Sequence, residues 1–594
     1  MYRTIISFKT LFCFLLFVSP FVEFVIPGGD MYLACVVGVV AFVGVGLEAK
    51  GRQNTFVVTI ADVLFWICWG YAVIRMPLPV DMALCIKLVA VTGIWCYCRL
   101  NVTPELRNMV IWWMIVAGLG QSVIGLLQGF GVLKSFHSEF ALTGTFGNPG
   151  PFGGYLSVVI ALLFSYVLQE KLSFAIRGCL FVCLMVVSLA LVLSDSRSAW
   201  CAACAAVFLL LYLKYLSGKR IMRFGGFVLF AMGFPAVGML LYGYRPDSAD
   251  ARILVWRVCG EVVSQYPFVG VGTGRFAAYY MPAQAKYLMT ATETTRRCSS
   301  DNPFAYNETL TVLCEQGIAG LLCVTVFWVF VVRGLKSSYQ SDNKSVFLFP
   351  VVSLLVFSQF SYPLSIWSFV CLLPLMPAIG LGRGRAIRWR MASWLNIYHR
   401  RLLSIIASCV CCALLVFGFV LRWRSQVWIN DYSVFATSSE RPGRVVGWFV
   451  RHDPFLLAYG ADAAFLRTDY ELALTYLDGL NHYTQAAQWN IRQGECYEGV
   501  GDTLKALECY RTASRMMPGL MYPVFAEFNL YRKENQKDKA LLLARKLITF
   551  RPKIENRRTR PGSTFVTRQG RGRPRFSGIG ILLNVPRCLG RFGL

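Results

Sequence analysis

The sequence predicts an all-α, polytopic membrane protein with about thirteen transmembrane helices, and three observations carry that expectation. Apolar runs of about 20 residues recur through the first 420 positions, each long enough to cross a bilayer. Hydrophobic residues make up 56% of the 594, and the mean hydropathy is +0.52, above what soluble domains tolerate over such a length. Lys and Arg gather in the short links between the runs, on alternate sides, as the positive-inside rule requires.

The expected spans are 11–27, 31–47, 55–75, 78–98, 108–132, 151–168, 176–194, 198–216, 224–243, 309–332, 346–361, 364–381 and 402–421. The first is read as a retained helix, because no small-x-small cleavage site follows it and further spans come at once. Lys50 and Arg52, Arg99 and Arg107, Lys171 and Arg177, Lys214 to Arg223, Lys336 and Lys344, and Arg383 to Arg401 all fall on one side if the N-terminus is cytoplasmic. The opposite side then receives loop 133–150, the link Asp195–Ser198, the long loop 244–308 and everything after Arg422. This distribution accounts for the net charge of +27 without nucleic acid, which is not an expected partner.

Most of the 21 cysteines sit in apolar runs as small hydrophobes, and no CxxC…CxxC pattern suggests zinc. Cys259 and Cys298 share the long polar loop, and they are candidates for a disulfide if that loop is extracytoplasmic. There are only four histidines, His137, His399, His452 and His482, and none lies in that loop.

The domain boundaries follow from composition. Residues 1–421 form the membrane domain, and residues 422–555 read as an extracytoplasmic helical domain. There Gly494, Tyr497, Ala506, Tyr510, Ala513 and Pro518 occupy the small, aromatic and proline positions of a tetratricopeptide-like repeat. Tyr531, Ala540 and Pro552 follow one period later, and Asp469–Leu480 is a weaker upstream copy. An unrelated helical hairpin domain is the alternative. Residues 556–594 are basic and rich in Arg, Gly and Pro, a composition that predicts disorder; the abrupt end of the repeat pattern also fits an altered reading frame.

The long loop carries Arg245, Arg252, Arg257, Arg275, Arg296 and Arg297, together with Asp301 and Glu308. Guanidinium forks grip phosphates and carboxylates in a bidentate way that lysine does not match. Arg252 and Trp256 are four apart and share a face if the segment is helical. Gly270-Val271-Gly272-Thr273-Gly274 lacks the GxxxxGK[ST] pattern and reads as a tight turn rather than a nucleotide loop. Glu308 and Glu315 are seven apart on one helix face at the water boundary. For Glu308 the alternative is a solvated helix N-terminus favoured by the helix dipole. Arg197 sits in the tight link Ser194–Trp200, where it either snorkels to lipid phosphates or holds the phosphate of a lipid-linked substrate. Asn148 lies before the sixth span.

Four stretches, GTFGNPG at 144–150, SRSA at 196–199, RILVWRVCGEVVSQYPFVGVGTGRF at 252–276 and NETLTVLCEQGIAG at 307–320, together resemble the O-antigen ligase and polymerase superfamily, which includes bacterial protein O-oligosaccharyltransferases. The resemblance implies glycosyl transfer without metal or other cofactor at the outer face of the bacterial inner membrane. The implied donor is a glycan on undecaprenyl diphosphate, and the acceptor is the lipid A core, a growing glycan or a protein hydroxyl. By that resemblance Arg197 and Arg252 clamp the diphosphate, while Trp256 and Tyr306 stack on sugars. Arg275, Asn148, Asn307, Glu315 and His137 complete the expected site. Many members carry a histidine where this chain has Tyr306, so the base is Glu308, or His137 reaching in, or the acceptor chemistry differs. The repeat domain favours recruitment of a protein partner or acceptor. A polymerase, or a transporter or flippase of lipid-linked sugars, is the runner-up reading.

Overall fold

The computed structural model describes residues 2–26, 28–51, 58–137, 140–169, 172–216, 246–342, 346–381, 397–434 and 444–550, with residues 224, 225, 239 and 243. Among these residues the chain is helical, without a β-strand. Eight of the described helices are long and apolar enough to cross a membrane. They are α2 (Gly29–Gly51), α4 (Met82–Leu100), α5 (Pro104–Gly129), α6 (Pro149–Val167), α7 (Phe174–Leu193), α8 (Arg197–Leu211, which runs on through a π-helical turn so that its span is Arg197–Tyr215), α12 (Glu308–Asp342) and α15 (Ile397–Val434). Four helices with shorter apolar stretches, α1 (Tyr2–Val22, apolar over Phe8–Val22), α3 (Ile60–Ile74), α13 (Leu348–Phe357) and α14 (Trp367–Gly380), fall on four other expected spans. The expected span 224–243 and the tail 556–594 lie outside the described residues. The protein is a multi-pass membrane protein of the expected all-α class.

Two helix clusters build the membrane body. In one, α2 lies between α4 and α15; in the other, α6, α8 and α13 pack mutually, with α7 against α6. Small residues set the spacing: a Cβ on Gly154 of α6 would fall 2.2 Å from the ring of Phe357 in α13, so only glycine admits this approach. Several buried charges of the membrane body are paired or capped. Asp62 at the start of α3 takes both Nε and Nη2 of Arg99 at the end of α4, at 2.8 and 2.9 Å. Lys87 meets Asp30 at 2.5 Å, and Asp81 caps α4 by accepting the Leu84 amide. Lys87 of the fourth span is thus an ion-pair member, and Asp81 is the cap of that helix.

The span α12 is broken at Gly317 (φ 65°, ψ −167°). The loop ahead of α10 (Phe276–Thr290) passes through this break. Val271 and Gly272 donate to the carbonyls of Cys314 and Glu315, while Ile318 and Ala319 donate to those of Pro267 and Phe268. The backbone groups freed by the interruption are therefore satisfied by the loop, which is how irregular backbone survives near a membrane.

Beyond the bundle, α15 leads to α16 (Arg444–Arg451) and three helix pairs: α17 (Pro454–Leu466) with α18 (Tyr470–Leu480), α19 (Ala487–Val500) with α20 (Thr503–Met516), and α21 (Met521–Lys533) with α22 (Lys537–Ile548). Gly460 faces the ring of Tyr476 and Gly494 that of Tyr510, so each glycine makes room for the tyrosine of its partner helix. Arg422 of α15 is 1% exposed and pairs with Asp453, itself fully buried, below the Phe455 ring. That ion pair fixes the helical domain to the membrane body.

Candidate functional site

The link between α7 and α8 turns at Asp195, whose φ of 56° is in the left-handed region. Ser196 then occupies the N-cap of α8 without donating or accepting a capping bond, and its buried Oγ has no partner. Arg197 is the first residue of the helix. Opposite stands α9 (Pro246–Gln265), which presents Arg252 and, one turn on, Trp256. The Trp256 Nε1 is also buried without a partner. Two buried donors thus stand close to the two arginines in the chain, and each can donate to an incoming acceptor.

Arg252 is half-buried, and its guanidinium lies 5.8 Å from the centre of the Tyr306 ring. Among the described residues no carboxylate pairs with it. Burial holds its pKa below the usual arginine value; the Tyr306 hydroxyl opposes this, and the charge of Arg197 adds to it. A desolvated guanidinium close to a second one gains from an incoming anion.

Tyr306 is itself strained, with φ 52°, a conformation that costs a non-glycine residue about 1–2 kcal/mol. Burial raises the pKa of its phenol, and the Arg252 charge opposes that rise. Its ring sits edge-on to Tyr362 at 5.4 Å, and Tyr362 stacks on Phe304 at 4.3 Å. Neither Phe304 nor Tyr362 was anticipated from sequence. Tyr362 belongs to the uncharged link between α13 and α14, about fifty positions downstream, and nothing local in Ser361-Tyr362-Pro363 signals a site. That same link receives Glu308: Leu364 N donates to Glu308 Oε1 at 2.8 Å, and Glu308 N donates to the Ser358 carbonyl. Asn307 caps α12, its Oδ1 accepting from Leu310 N at 3.0 Å.

The other expected residues lie elsewhere around this end of the bundle. Asn148 caps α6 through the Gly150 amide. His137 meets Phe140 of its own loop, its ring 4.8 Å from the Phe140 ring and its Nδ1 accepting the Phe140 amide. Glu315 accepts from Gly274 N and Phe276 N, at 2.9 and 3.1 Å, and so caps α10 from across the break in α12. Arg275 is 4% exposed and directs its guanidinium at main-chain carbonyls. Of the remaining loop arginines, two lie in the short helix α11 (Glu293–Cys298), where Arg296 binds the carbonyls of Leu288 and Met289 and Arg297 pairs with Glu293; Arg257 is exposed, and Arg245 lies outside the described residues. Cys259 is not joined to Cys298; it lies buried against Cys314, whose thiol donates to its carbonyl, because α9 packs on α12 at that level.

An apolar cavity of about 290 Å³ opens beside the Arg197 link. Leu126, Phe130, Phe140 and Leu142 line one side of it, and Leu193 to Asp195 the other.

At one end of this multi-pass helical bundle the Arg252 guanidinium thus lies near Arg197 and Tyr306, and no carboxylate pairs with Arg252 among the described residues. Residues 180–325 of the chain match the O-antigen ligase family. The expected resemblance is borne out over this stretch, which includes the motifs at 196–199, 252–276 and 307–320 and leaves the one at 144–150 outside. The match supports a function of the lipid-linked glycan ligase or polymerase type, and members of this family transfer glycosyl groups. No curated protein matches the chain.

Proposed function

We propose that this protein transfers a glycan from undecaprenyl diphosphate to an acceptor hydroxyl, on lipid A core or on a protein, at the periplasmic face of the inner membrane. The observation that carries the reading is Arg252: a half-buried guanidinium beside Arg197 and Tyr306 with no acidic partner among the described residues. In the proposed reaction the acceptor oxygen attacks the anomeric carbon and the bond from that carbon to the diphosphate oxygen breaks. The charge left on the prenyl diphosphate falls between Arg197 and Arg252, with the orphan Ser196 Oγ and Trp256 Nε1 as further donors. Glu308 takes the hydroxyl proton, its carboxylate oriented by the Leu364 amide. The apolar cavity beside Asp195 suits the first isoprene units of the donor.

Reconstitution in proteoliposomes with a radiolabelled glycan on its diphosphate lipid tests this, with lipid A core and acceptor protein offered separately. Glu308→Gln is expected to lose transfer by about a hundredfold or more while still retaining the donor. Full transfer by that variant would remove Glu308 as base, and retention of donor by an Arg197/Arg252 double variant would remove the clamp. Under the competing flippase reading, the donor would cross the bilayer without glycan appearing on any acceptor.

A further inference from the structure

We infer that the C-terminal helical domain acts in cis as a positioning element for the loop that carries Arg252, and that Arg275 is the pin joining them. The inference rests on the glycan-transfer reading only for its consequence, not for its geometry.

Arg275 grips two segments remote from it in the chain. Its guanidinium donates to the carbonyls of Pro77 and Pro79 in the link between α3 and α4, and to that of His482, at 2.5 Å, in the turn between α18 and α19. The Tyr483 ring lies 4.4 Å from it, and the Tyr483 hydroxyl donates to Val80 and Arg451 carbonyls. A planar fork suits this task, since its five N–H groups can serve several carbonyls at once where an ammonium cannot.

The same two bodies meet at a second place. Gln284 of α10 donates to the Met516 carbonyl at the end of α20, and Gln485 N donates to the Ala277 carbonyl. The Asp301 carboxylate accepts the amides of Ala487 and Gln488, the first turn of α19, whose own N-cap, Ala486, has no side-chain oxygen to offer. Apolar packing runs without interruption between them: Val255, Val258 and Cys259 of α9, Tyr280 and Met281 of α10, and Ala487, Ala513 and Met516 of the helical domain share one cluster. The helix that bears Arg252 is therefore set from behind by α10, and α10 is set by the helical domain. On this reading the domain's loop-facing surface is already filled by the chain itself, and a protein partner must use another face.

The test compares wild type, Arg275→Met, and Arg275→Met carrying Ala277→Cys with Gln485→Cys, in the full-length chain with the new cross-link verified by peptide mass. Two readouts are taken: hydrogen exchange over residues 246–300, and glycan transfer. Arg275→Met is expected to raise exchange in α9 and α10 and to lower kcat at least tenfold, and oxidation of the cysteine pair is expected to restore both. Unchanged exchange in Arg275→Met, or a folded protein in which the cross-link forms and restores neither, would overturn the inference. If exchange responds as expected but wild type transfers no glycan, the pin stands and the glycan-transfer reading fails.

Discussion

The main chain at Gly270 crosses the main chain at Gly317 in contact. A Cβ on Gly270 would lie 2.3 Å from the Glu315 carbonyl carbon, and a Cβ on Gly317 would lie 2.3 Å from the carbonyl of Phe268. Both glycines have φ near 65°, so a side chain meets conformational strain and rigid backbone together. Gly317→Ala is expected to lower the thermal midpoint in detergent clearly, the strain alone costing about 1–2 kcal/mol. A midpoint equal to wild type would mean that the crossing is not tight.

Arg252 offers a test of anion recognition that charge alone cannot pass. If its fork holds two phosphate oxygens, Arg252→Lys keeps the charge and loses the bidentate geometry. Transfer should then fall by about 10²–10³, the range seen when one charge-stabilising donor is removed. Steady-state transfer rates of the Lys and Gln variants check this, and a Lys variant near wild type would reduce Arg252 to a point charge.

Tyr306 separates stacking from hydroxyl chemistry. Its ring lies beside both Arg252 and Tyr362. Tyr306→Phe should preserve most transfer if the ring is what matters, while Tyr306→Ala should raise the donor KM and loosen the Phe304–Tyr362 stack. A Phe variant as poor as the Ala variant would move the function to the phenol.

Docking of the helical domain should depend on pH through Asp301. Burial raises its pKa to about 6, against the opposing amides of Gln488 and Ala487. An acid whose pKa is higher docked than free favours docking in its protonated form. The contribution is therefore greatest at low pH, is lost as pH rises from about 4 to about 6, and is flat above that. Hydrogen exchange in α19 across this window checks the slope. Asp301→Asn should abolish it while keeping an oxygen for the helix cap.

Asp453 is the test of the junction between membrane body and helical domain. Removing one member of a fully buried ion pair strands the other, so Asp453→Asn or Arg422→Met should each cost about 3–5 kcal/mol. Replacing both with apolar residues should recover much of that loss. Denaturation of the single and double variants decides the matter.

The helices were legible because hydropathy needs only composition, and eight long apolar helices appear where such runs were expected. Arg197, Arg252 and Tyr306 were legible because arginine and aromatic side chains are conspicuous in polar links. What escaped were contacts made to backbone or across long separations. Arg275 looks like a ligand for substrate in the sequence, since carbonyls such as those of Pro79 and His482 leave no trace in residue identity. Glu315 likewise reads as a free acid until the α10 amides it caps are seen. Tyr362 was hidden because its link carries no charge. The Cys259 neighbour was misjudged because loop membership stood in for proximity, and Cys314 belongs to a span.

Tyr32 and Gln426, 394 positions apart, share a hydrogen bond, and Arg422 closes over the turn at Gly28. A ribosome makes one end of this contact long before the other exists. The opening spans must therefore sit in the bilayer with Asp30 paired to Lys87 but lacking the nearby Arg422 charge, until α15 is threaded beside them. Final packing of the first helices thus waits on synthesis of α15, so a truncation ahead of Arg422 is expected to damage the amino-terminal bundle as well as the segments it deletes.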